Sequence, residues 1–95
     1  MRLGKTRFTV VCDFAGGTYV SQFYAADPVD VVFQWATELV SEKPIPRASG
    51  YVAKSAIKDL NDGNFPVRLN NTTNVWQAGA WVGNKPYTAT IIKTA

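Results

Sequence analysis

Histidine is absent from this sequence, and cysteine occurs once, at Cys12. The first absence removes the commonest general base, the commonest metal ligand and the usual partner of a serine or cysteine nucleophile. A lone cysteine excludes a disulfide, a thiolate metal cluster or a redox pair within one chain. No apolar run approaches the ~18 to 20 residues needed to span a bilayer. The basic opening Met1-Arg2-Leu3-Gly4-Lys5-Thr6-Arg7 leads into an apolar stretch broken at Thr9 and Asp13, unlike a signal peptide. A soluble cytoplasmic protein is therefore expected, without membrane contact. Strong charge is lacking as well: ten Lys and Arg against seven Asp and Glu leave a net +3. That bias permits nucleic-acid binding without implying it, because clustering matters more than the total. No catalytic residue, metal site or cofactor is expected.

What is present is ordinary globular composition, 46% hydrophobic and 18% charged over 95 residues. One domain is expected, hiding roughly 60 to 65% of its surface on folding, with a core thin enough for a partner to add to it. Phe8, Val10, Cys12 and Phe14 alternate with Thr9, Val11 and Asp13 at the period of a strand. Ala15-Gly16-Gly17 reads as a hairpin turn into a second strand over 18–25. Asp27-Pro28-Val29-Asp30 has the composition of a helix start. The apolar set Val29, Val32, Phe33, Ala36, Leu39 and Val40 then predicts a buried stripe, with Trp35 at its boundary, and Glu38 and Glu42 on a solvated face. Lys43-Pro44-Ile45-Pro46 ends this helix as a stiff joint. Val52, Ala53, Ala56, Ile57 and Leu60 predict a second helix. Phe65 to Leu69, interrupted by Pro66, reads as an edge strand or extended loop, and the last third as a hairpin of 75–82 and 87–93. The fold class is α+β: a four- to five-stranded antiparallel sheet, order ββααββ, with the helices on one face.

Cys12 sits in the alternating apolar set and reads as a buried core residue. Arg47, Lys54 and Lys58, with Lys43 nearby, form the densest basic cluster. They suit nucleic acid or an acidic partner, and equally an ordinary surface paired with Glu38 and Glu42. Trp76 and Trp81 are five positions apart on one strand and so face opposite ways, unless a bulge near Gly79 or a wrap of the 65–69 segment buries Trp81. If Trp76, Ala78, Ala80 and Val82 lie under the helices, then Val75, Gln77, Gly79 and Trp81 occupy the other face, with Tyr24 and Val11 as neighbours. That face would be apolar enough to mark a protein interface.

The hairpin followed at once by an Asp-capped amphipathic helix, Phe8 to Val40, resembles in layout the small bacterial antitoxins of the HicB type and small immunity proteins. The Leu-Pro-Gly-Cys-like segment of HicB chains is replaced here by Tyr24-Ala25-Ala26-Asp27-Pro28. The resemblance implies a small non-catalytic domain that occupies the surface of another macromolecule. The partner would be a second copy, giving a homodimer, or a toxin-like protein; nucleic acid held by the basic cluster is the alternative.

Overall fold

A computed structural model describes residues 5–94 of the chain. Strand β1 (Thr6–Phe14) turns through Ala15 and Gly16, both at positive φ, into β2 (Gly17–Ala25). Two left-handed residues give a tight turn whose twist matches the flanking strands. Helix α1 (Pro28–Glu42) starts as its composition predicts. Asp27 Oδ1 accepts from Asp30 N–H at 2.8 Å, and Asp30 Oδ2 accepts from Ala26 N–H at 3.0 Å, so two carboxylates hold the free donors of the helix entrance. Lys43, left-handed at φ 51, terminates it.

The joint to helix α2 (Ser49–Asn61) is anchored rather than merely stiff. Ile45 is buried in the core, and the buried Ser49 hydroxyl accepts from Ile45 N–H at 2.8 Å and donates to Ile45 C=O at 3.1 Å. Beyond α2 come the short β3 (Val67–Arg68), then β4 (Val75–Val82) and β5 (Lys85–Lys93). The five strands form one antiparallel sheet in the order β2-β1-β5-β4-β3, so the first and last strands of the chain lie side by side at its centre.

Both helices cover a single face. Beneath them lie Phe8, Val10, Cys12 and Phe14 of β1, with Tyr87, Ala89 and Ile91 of β5, all buried. Trp35 of α1 meets Tyr87 at 6.0 Å between ring centroids, and Phe8 meets Trp76 at the same distance. The stripe expected on α1 is displaced. Val31, Val32, Trp35, Ala36 and Leu39 are buried, whereas Phe33 and Val40 are 45% and 58% exposed. A helix wedged between a sheet and a second helix turns its largest side chain inward, which rotates the buried stripe past the edge that spacing alone assigns. Glu38 also differs from expectation: it is only partly exposed and accepts a hydrogen bond from Ser21 Oγ.

Candidate interaction surface

The pairing of β4 with β5 runs without interruption from Val75↔Ile92 to Val82↔Lys85, so no bulge resets the register at Gly79. Trp76 and Trp81 therefore face opposite ways. Trp76 packs against the core from below the helices, and Trp81 stands on the uncovered face, 66% exposed. Neither a bulge nor the 65–69 segment buries it.

Strand register builds the rest of this open face in rows. One row crosses all five strands through Val20, Val11, Thr90, Gln77 and Val67. A second holds Gln22, Thr9, Ile92 and Val75, and a third holds Thr18, Asp13, Thr88 and Gly79. Gln22 Nε2 donates to Thr9 Oγ1 at 3.0 Å, and Thr18 Oγ1 donates to Asp13 Oδ1 at 2.8 Å. These cross-strand bonds stiffen a surface made of short polar and β-branched side chains. In these rows and their continuation through Arg7 and Tyr24, the charged residues are Arg7 and Asp13, at the two ends of β1. An antiparallel sheet can leave one face to water, and charge, which is depleted from the centre of binding patches, is confined here to the ends of β1.

The five expected interface residues all belong to this face, but they do not form one cluster. Val11 and Gln77 share a row with Thr90 between them, and Val75 lies one row away. Tyr24 is on the far edge strand, on the order of 30 Å from Trp81 judging from strand spacing and rise. The placing of Tyr24 and Val11 beside Trp81 is thus corrected: the face is right and the adjacency is wrong, because β5 inserts between β1 and β4. Sequence spacing carries no record of that insertion.

The basic cluster divides. Lys43, Arg47 and Lys54 line a cleft of about 320 Å³ at the start of α2. Lys58 lies outside it, paired with Asp62 at 2.7 Å, and that hydrogen bond raises its pKa. Among the described residues this is the single ion pair, so the pairing of these cations with Glu38 and Glu42 does not form. A second apolar surface was not legible in sequence. Phe33, Thr37 and Val40 of α1 and Gly50, Ala53 and Ile57 of α2 line an outer groove of about 360 Å³.

Burial, helped by the neighbouring Asp13 carboxylate, pushes the Cys12 thiol up to about 12, so it is a protonated core side chain at neutral pH. A cleft of about 390 Å³ beside β4 is lined by Asp59 and Tyr87. Burial and then the Asp59 carboxylate push the Tyr87 phenol up to about 12, against a hydrogen bond with Ser55 that lowers it. Among the described residues no group of three His, Cys, Asp or Glu side chains is placed to hold a metal ion, and no helix is long and apolar enough to cross a membrane. Comparisons with protein-family models, with curated proteins and with solved structures find no match.

Proposed function

We propose that this chain is a non-catalytic protein-interaction module that binds another protein through its open sheet face, with Trp81 as the anchor. The observation that carries the reading is the position of Trp81. A large aromatic stands 66% exposed, on the side away from both helices, next to a face on which the charges of the described strand rows sit at the two ends of β1. Exposed tryptophans of this kind carry a disproportionate share of binding energy when a partner covers them. The threonine and valine rows extend to one side of the anchor as a pre-ordered sheet surface, so little ordering entropy is lost on binding.

The test is capture from nuclease-treated lysate of the native host at high salt, with Trp81→Ser and the pair Lys54→Glu, Lys58→Glu run beside the wild type. A protein held by the wild type and by the lysine variant, but lost with Trp81→Ser, supports the reading. The expected loss is at least ~2 kcal/mol, about thirtyfold in affinity. The convergence of Lys43, Arg47 and Lys54 on one cleft favours a second reading, contact with an acidic partner or nucleic acid. That reading gives binding that falls steeply with salt and disappears with the lysine substitutions.

A further inference from the structure

β2 is an edge strand, and two hydrogen bonds fix the direction of its backbone. Thr94 N–H donates to Arg7 C=O at 2.9 Å, so the polar groups of Arg7 point toward β5. Tyr24, opposite Arg7 on β2, therefore points away from β1, and its carbonyl accepts from Gln34 Nε2 at 2.9 Å. By the two-residue period, Thr18, Val20 and Gln22 also turn N–H and C=O outward. The two edges of the sheet differ. β3 is two residues long, follows Pro66 and carries Arg68, the usual guards against strand addition. β2 is nine residues long, pairs with β1 without a bulge, and contains neither a charged residue nor a proline.

We propose that β2 pairs antiparallel with β2 of a second copy of this chain, about a two-fold axis at Val20. That register sets Val20 against its own copy and Thr18 against Gln22 on either side, completing about six N–H···O=C bonds. It leaves the Tyr24 end to Gln34, which already occupies it. A two-fold contact must be self-complementary, and this one is: an apolar residue, 62% exposed, meets itself at the axis while a hydroxyl meets an amide beside it. Glu38, bonded to Ser21 near the axis, comes beside its own copy, so salt strengthens association by screening the two carboxylates. The product is a ten-stranded sheet with all helices on one side and two open faces joined on the other. The contact lies on a different strand from Trp81 and holds or fails independently of the open-face reading.

Sedimentation equilibrium of the full chain tests it. The wild type is expected to show a monomer–dimer equilibrium that tightens as salt is raised. Val20→Lys is expected to shift it to monomer, with the thermal transition unchanged at concentrations low enough for the wild type to be monomeric as well, and Trp81→Ser to leave the equilibrium in place. Should Val20→Lys fail to fold, Val20→Cys tests the same register, since opposed Cα atoms about 5.5 Å apart allow a disulfide. Mild oxidation should then give a covalent dimer, while Val67→Cys, equally exposed on the other edge, should not, and buried Cys12 stays out of the reaction. A wild type that is monomeric at all concentrations overturns the proposal. So does a dimer that survives Val20→Lys, one that loosens with salt, one abolished by Trp81→Ser, or a Val20→Cys variant that does not cross-link.

Discussion

Replacing Gly79 by alanine tests how tightly β4 lies against β5. A glycine inside a strand is ordinarily a weakness, and alanine at a compatible site stabilises by roughly 0.4 to 1 kcal/mol through the unfolded chain. At Gly79 the sign should reverse. A Cβ built there lies 2.6 Å from the Tyr87 carbonyl oxygen and 3.6 Å from the Thr88 Cα. Those are backbone atoms of a strand held on its other side by β1, so no side chain can swing aside. The clash is relieved only by parting the strands, an overpacking strain of about 1 to 3 kcal/mol. For a domain of this size that corresponds to a melting temperature lower by roughly 5 to 20 °C. Gly50→Ala is the matched control: it lies in α2 with open space around its Cβ position, and alanine should raise stability by about 0.5 to 1 kcal/mol. Thermal unfolding followed by far-UV circular dichroism reads both. A Gly79→Ala protein that melts at or above the wild-type temperature would refute the close approach of these two strands.

Asp27→Ala removes the acceptor for Asp30 N–H and should cost about 0.5 to 2 kcal/mol, read as a lower urea midpoint. Ser49→Ala strands the Ile45 N–H inside the core, and about 1 to 3 kcal/mol should be lost in the same assay. Alkaline pH should destabilise the fold. Cys12 and Tyr87 are raised to about 12 from 9.0 and 10.0, so the unfolded chain releases these protons first. Stability then falls as pH climbs from about 9 toward 12, by up to about 1.4 kcal/mol per pH unit for each group, and neither contributes a slope below that window. Tyr87→Phe should flatten the upper part of that fall, and urea midpoints measured across the range would show whether it does.

The opposite faces of Trp76 and Trp81 were half legible: strand period two places them so, but Gly79 left a bulge equally open, and the uninterrupted pairing of β4 with β5 decides it. Helix boundaries were legible for the same local reason, since Asp27, Pro28 and the Pro44-Ile45-Pro46 joint act on their own neighbours. The buried side of α1 was not. Phe33 and Trp35, two positions apart, point to nearly opposite sides of the helix, so only one of them can lead the stripe, and the decision belongs to Tyr87, which comes from the far end of the chain. Ile45 was hidden among prolines, where nothing marks it as an anchor. Strand order escaped as well. The pairing of β1 with β5 is what separates Val11 and Tyr24 from Trp81, and it depends on a long-range meeting that local patterns do not encode. The basic cluster was half legible: Arg47 and Lys54 share a cleft, but Lys58 turns along the helix to Asp62.

The most direct test of the open-face account is photo-cross-linking in the native host, with a photoreactive amino acid placed singly at Thr88 or Thr90 on the sheet face, Trp81 being kept, and at Tyr51 or Val40 on the helical side. The account predicts one discrete protein adduct from the sheet positions and none from the helical ones. Adducts confined to Tyr51 or Val40 would contradict it and move the binding surface to the outer groove or the basic cleft.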